Sequence, residues 1–204
     1  MKSSSSLASF FGWAAVWFCV TTVAWMQVSA WTSYPAAGIA HIVLGAGTNN
    51  WVRSIHKEPG LLQVNTRIRI SMPEKDQESG TAELVAEAKP ANYAYGLPLF
   101  IALLLASGSK RFFWRVLVGY AVLLIPQTFS LVFDILKQII VVADSPAALG
   151  VAWWQMEGIA LGYQFGSLLL PALAPVALWL WLDREFFAAV IIDGWLRKAA
   201  AECE

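Results

Sequence analysis

Residues 89–113 read KPANYAYGLPLFIALLLASGSKRFF: a polar start, two tyrosines, about a dozen nearly uninterrupted apolar residues, then Lys110 and Arg111. As the core of a soluble fold, the stretch would have to bury Phe100 to Ala106 on every face. As a membrane crossing it has aromatic residues at one boundary and cations at the other, the usual marks of the two interfaces. Composition decides between the two. Hydrophobic residues make up 58% of the 204 and charged residues 14%, whereas soluble domains carry about a quarter charged residues. The stretch is therefore read as a crossing from about Tyr93 to Ser109. Pro98 falls near its start, where a missing N–H breaks no intrahelical bond.

A hydrocarbon core about 30 Å thick takes roughly 20 apolar residues per helix, and three further windows meet that length. Leu7–Ala30 carries no charge and has aromatic residues all round, as a lipid-embedded helix does. Lys2 and the small residues ending at Ala30 would also suit a cleaved signal peptide. The run is longer than the roughly 7–15 apolar residues of a signal sequence and rich in Trp, which favours an uncleaved anchor over residues 1–30. Phe112–Phe133 holds Pro126 and Gln127 in its middle, so a kink is expected. Leu161–Leu182 contains Pro171 and Pro175, tolerated where neighbouring helices satisfy the freed carbonyls. The expected fold is an all-α membrane bundle of four transmembrane helices, the last three within residues 93–182, followed by an amphipathic cytoplasmic tail, 183–204.

Lys and Arg in short loops mark the cytoplasmic side. Lys110, Arg111 and Arg115 follow the second crossing, and Arg184, Arg197 and Lys198 lie in the tail, whereas residues 134–160 carry only Lys137. Both termini are expected in the cytoplasm of a bacterial cell, with the protein a multi-pass component of the inner membrane. Residues 31–92 then form an extracytoplasmic loop. Within it, Ile39, Ile42, Val43 and Ala46 have helical spacing and predict a short amphipathic helix on the membrane surface. After Pro59 and Gly60, Leu62, Val64, Thr66, Ile68 and Ile70 alternate with polar residues and predict a strand. TAELVAEAK alternates more weakly, and the intervening MPEKDQESG is turn chemistry, so a β-hairpin is expected with Glu83 and Glu87 facing Arg67 and Arg69. Two strands alone are marginal, so the hairpin needs a further surface to rest on.

Chemistry is sparse. The chain has 14 Lys and Arg against 14 Asp and Glu, which removes the basic field that nucleic-acid binding uses. Cys19 lies within the first crossing and Cys203 in the tail, so no disulfide or CxxC pair is expected. His41 and His56, even with Glu58, lack a recognised metal-ligand spacing, and no cofactor is expected. Asp134, Lys137, Asp144 and Glu157 cluster near helix ends, where Asp134 and Lys137 can pair at i,i+3. Gly158, Gly162 and Gly166 recur every four residues and line one helix face, which lets another backbone approach closely. They are the candidate helix-packing interface, toward this chain's own bundle or toward another protein.

The stretch NYAYGLPLFIALLLA, residues 92–106, after a β segment and before a basic turn, resembles the exosortase H-associated membrane proteins. Tyr93, Tyr95, Gly96 and Pro98 within it form a candidate interface motif. The resemblance implies a small bacterial inner-membrane protein accessory to an exosortase, a multi-span enzyme of transpeptidase type that processes C-terminal sorting signals with a Cys, an Arg and a His. It implies a membrane-protein partner besides lipid, and it brings no catalytic residues to this chain. Cys19 stands alone in its crossing and no His lies in any crossing, so the chain is expected not to be an enzyme. The alternative, a small transport or channel subunit, would place polar residues along a path, for which Gln127, Thr128, Gln164 and Ser167 are the candidates.

Overall fold

The computed structural model describes residues 3–47, 51–71, 81–142, 150–184 and 188. Helix α1 runs over Ser3–Thr32 and α2 over Tyr34–Gly47; strands β1 (Val52–Glu58), β2 (Leu61–Ser71) and β3 (Thr81–Ala88) follow. A 3-10 turn, Pro90–Tyr93, leads into α3 (Gly96–Ala106) and α4 (Phe112–Val142). The last long helix is α5 (Trp153–Gln164), a π-helical segment Phe165–Leu169, and α6 (Leu170–Leu182).

Among the described residues three helical stretches are long and apolar enough to cross a bilayer: Ser9–Gly47 with 39 residues, Phe112–Val142 with 31 and Trp153–Leu182 with 30. The expected fourth crossing is represented by α3, whose 11 residues span about 16 Å, roughly half the hydrocarbon thickness. Its limits have local causes. The 3-10 turn delays the helix start to Gly96, and Ser107 and Gly108 end it, Gly108 at φ +60°, a conformation glycine adopts without strain.

The chain forms two compact units. One comprises the described parts of Val28–Ala94 and Leu124–Pro171, the other those of Met1–Gln27, Tyr95–Leu123 and Ala172–Glu204.

In the first unit the sheet has three antiparallel strands in the order β1-β2-β3, one more than the hairpin expected. β1 pairs with β2 from Glu58↔Leu61 onward. Pro59 and Gly60, the latter at φ +90°, make the tight connection and are the residues a type II turn places at its two central positions. β2 buries Leu62, Val64 and Thr66, with Ile68 packed at the edge of the core, as its alternation required. Thr66 keeps its hydroxyl satisfied by donating to the Leu84 carbonyl at 2.9 Å, next to the register shift between Asn65 and Arg69. The MPEKDQESG turn lies outside the described residues.

On the outer face of the sheet Arg69 and Glu83 are register partners, as expected, and the Glu83 carboxylate also accepts from Arg53 on β1 at 2.7 and 2.9 Å. Glu87 accepts from Gln63 at 2.6 Å. The sequence reading lacked β1, and with it the arginine that reaches Glu83.

Helix α2 has two apolar faces, and the stripe expected to meet the membrane is the one left outside the core. Its buried face is Ala36, Ala37, Ala40 and Leu44, whereas Ile39, Ile42 and Val43 are exposed, Ile42 at 71%. The core of this unit joins those small α2 residues to Leu62, Val64, Leu84, Ala86 and Ala88 of the sheet, Tyr93, and Leu131, Val132, Ile135 and Ile139 of α4. Alanine carries no long side chain, so helix and sheet can approach closely, and the bulkier residues are left outside.

The second unit centres on Leu97, Phe100 and Leu104 of α3, with Leu123, Leu178 and Trp179. Gly119 of α4 leaves room for the Phe100 ring, which a Cβ there would overlap. Phe10 stacks on Trp179 at 5.6 Å, and the Thr21 hydroxyl lies 3.0 Å from the Pro98 carbonyl oxygen.

Candidate functional site

The glycine-lined helix face is where the sequence placed a packing site, and the structure treats its members differently. No atom lies within 4 Å of where a Cβ on Gly158 would stand. At Gly162 a Cβ would overlap the ring of Phe133 on α4, and at Gly166 it would come within 3.0 Å of the Ser130 Cα. Gly162 and Gly166 thus pack against α4 of the same chain. Phe133 is itself held by Phe129, ring centroids 4.4 Å apart.

Gly166 does more than leave space. In the π-helical segment the Leu170 N–H reaches back to the Phe165 carbonyl, one residue beyond the α-helical partner. The Gly166 carbonyl would next be met by residue 171, which is proline and has no N–H. The Ser130 hydroxyl on α4 lies 2.6 Å from that carbonyl and 2.8 Å from the carbonyl of Pro126. The small residue, the π turn and the facing serine form one arrangement: the proline frees an acceptor, and absence of a side chain at Gly166 lets the donor come close. Helix α4 itself runs on through Pro126.

The second candidate motif is mostly interior. Tyr93, Gly96 and Pro98 are buried and Tyr95 is partly exposed. Tyr93 lies in the core beside α4, where its hydroxyl donates a hydrogen bond to the Asp134 carboxylate.

The expected Asp134 and Lys137 pair is not among the described ion pairs. Asp134 accepts from Gln138 at 3.2 Å as well as from Tyr93, and Lys137 places its ammonium 3.9 Å from the centroid of the Tyr163 ring. Side chains three apart on a helix are neighbours, but a better-placed donor and an aromatic face compete for each partner.

Gln138 also holds the sheet. Its Oε1 accepts the Glu87 N–H at 3.2 Å, and its Nε2 donates to the Glu87 carbonyl at 2.9 Å. One side-chain amide thus reproduces the double hydrogen bond of a neighbouring strand at an edge position of β3. Gln138→Met should lose both bonds, about 1–2 kcal/mol. The measurement is amide hydrogen exchange, expected to quicken roughly tenfold at Glu87; unchanged exchange there would show that the amide is not holding the strand.

A polar cluster in the other unit was not foreseen. Arg115 Nη1 lies 2.9 Å from Asp183 Oδ1, with both side chains largely buried. Asp183 also accepts from the Ser107 hydroxyl at 2.6 Å, and Trp179 Nε1 stands 3.4 Å from that same oxygen. Arg115 donates to Ser109 as well. The sequence signal available was that Arg115 and Asp183 both end an apolar run; nothing local pairs them.

Cys19 is exposed on α1. His41 is exposed on α2, and His56 lies on β1 with a ring nitrogen 3.4 Å from the Ser54 hydroxyl. Among the described residues no three His, Cys, Asp or Glu side chains group as metal ligands.

No curated protein and no solved structure is significantly similar to the chain. The family model described as exosortase H-associated membrane protein matches residues 4–186, a stretch holding all three long apolar helices, the sheet and the glycine-lined face. A match over that share of the sequence identifies a membrane protein that belongs to the exosortase H-associated family.

Proposed function

We propose that this protein is a non-catalytic accessory subunit of the bacterial inner membrane that supports an exosortase-type sorting enzyme by packing against it within the bilayer. The observation that carries the reading, beside the family, is the bareness of the first long helix. Only 6% of the most apolar stretch within Ser9–Gly47 is buried by the chain itself, against 33% and 28% for the other two long helices. Phe11, Trp13, Val16, Val20, Val23 and Met26 all face outward. With Gly162 and Gly166 engaged internally, the partner helix is assigned to α1, the least buried of the three long helices, with the open position at Gly158 as a second contact.

The non-catalytic part of the reading is supported by the scatter of nucleophile and base: Cys19 on α1, Cys203 in the tail, the histidines on α2 and β1. A transport path is not favoured. Gln127 and Thr128 are buried in α4, whereas Gln164 is exposed on α5.

Cytoplasmic termini and an extracytoplasmic sheet follow from the charge asymmetry, and require the α3 stretch with its flanking turns, Tyr93–Ser109, to complete a passage. Reporter fusions after Lys89 should be active only outside the cytoplasm, and fusions after Ser109 and Glu204 only inside. A cytoplasmic signal at Lys89 overturns that orientation.

The partner is tested through Cys19, which sits on the bare helix. In a Cys203→Ser background, a bifunctional thiol reagent reactive in the bilayer should join Cys19 to an exosortase-type protein recovered by gentle-detergent purification from the native host. Purification of the chain alone, with no cross-linked product, would reject the accessory reading.

A further inference from the structure

We propose that α4 holds an ordered water at its midpoint, bound by Gln127 and Thr128. Gln127 is the middle residue of the 31-residue helix. It is 4% exposed and Thr128 7%. The Gln127 Oε1 and the Thr128 Oγ1 are both fully enclosed, and neither has a hydrogen-bond partner within the protein. An enclosed polar atom left unpaired costs roughly 1–3 kcal/mol, and native proteins satisfy nearly all of them.

The Thr22 hydroxyl on α1 is likewise enclosed without a partner. Other helical hydroxyls turn back on their own helix: Thr21 lies 2.8 Å from the carbonyl of Trp17 and Ser130 2.8 Å from that of Pro126, each four residues back. That bond is the default for a helical Ser or Thr with no better partner. Thr128 does not make it. Its hydroxyl is left without a partner, one residue along the helix from an amide oxygen that can only accept.

The surroundings select the ligand. The Gly166 carbonyl has the Ser130 hydroxyl at 2.6 Å; what stays unpaired is the Gln127 amide oxygen, which needs a donor, and the Thr128 hydroxyl. A partner protein's side chain has no access to atoms enclosed by this chain. Water is small enough, donates twice and accepts twice, and binds where two or more polar groups offer themselves. It would seat beside Pro126, where the helix lacks one of its own N–H donors.

The test uses the full chain in proteoliposomes of bacterial lipid, labelled at glutamine and threonine, and reads water-to-protein magnetisation transfer by solid-state NMR. The Gln127 side chain, assigned by its disappearance in Gln127→Met, should build up signal at a rate near that of exposed Gln164. The Thr128 signal should lose at least half of its transfer in Gln127→Met. Thermal melting is the second arm: Gln127→Met removes a satisfied acceptor and should lower the melting temperature by about 2–5 °C. Transfer to Gln127 as slow as to buried Thr66 overturns the proposal. So does a rise in melting temperature, the result expected if the amide oxygen is simply unpaired.

Discussion

Gly166→Val is expected to destabilise the protein by roughly 2–4 kcal/mol, through overpacking together with loss of a buried hydrogen bond. The added side chain meets the Ser130 Cα at 3.0 Å. That is backbone, so relief requires α4 and the π-helical segment to separate, which withdraws Ser130 from the carbonyl that Pro171 leaves without an N–H. Gly162→Val should cost less, because its obstacle is the Phe133 ring, and a ring can swing aside. Gly158→Val meets open space and should lie within about 1 kcal/mol of wild type. Unfolding in mixed detergent micelles ranks the three. Equal losses at Gly158 and Gly166 would mean that the spacing, and not the contact with α4, sets the effect. Partner recovery with Gly158→Val then has a clean meaning, because the variant is expected to fold: if recovery falls, this position faces the partner.

The glycine face also shows what a sequence can and cannot display. Four-residue spacing on a helix is a one-dimensional pattern; Gly162 and Gly166 lie close to α4, and Gly158 meets nothing within 4 Å. Which surface approaches depends on Ser130 and Phe133, which lie 36 and 29 residues before the glycines they face, and no periodicity connects them. β2 was readable because Leu62, Val64 and Thr66 keep period two over a buried face. β1 was not. Its register shifts between Val52 and Ser54, which breaks the alternation within a seven-residue strand. On α2 the stripe expected to face the membrane, Ile39, Ile42 and Val43, is exposed, whereas the core took the small residues Ala36, Ala37 and Ala40, which carried no signal in the sequence. Hydrophobicity ranks affinity for any apolar surroundings, lipid included; closeness of fit depends on volume. In a chain that is 58% hydrophobic the two criteria part company. The glutamine that fastens the sheet to α4 was hidden for a similar reason. Gln138 sits among apolar residues, with its partner a backbone group in another element.

The larger expected effect is at Arg115 and Asp183. Removing one member of a buried ion pair leaves an uncompensated charge and costs about 3–5 kcal/mol, whereas replacing both by apolar residues is often close to neutral. Asp183 is 7% exposed and Arg115 19% as side chains, so this pair falls in the buried class. The geometry adds to it. Ser107 donates to the same carboxylate, and the turn that Arg115 steadies holds Arg111 at φ +59°, a left-handed conformation that a side chain other than glycine adopts at some strain. Arg115→Met and Asp183→Leu should each unfold at markedly lower denaturant, and the double variant should recover most of the loss. Arg53 and Glu83 supply the contrast: their contact is shorter, 2.7 Å, but the side chains are 61% and 47% exposed, so Arg53→Gln should cost no more than about 1 kcal/mol. If the two single losses in the buried pair simply add in the double variant, the residues act independently and the lock does not exist. If they cancel, the end of α6 and the turn between α3 and α4 are fastened by charge, at the end of the protein where the sequence concentrates its cations.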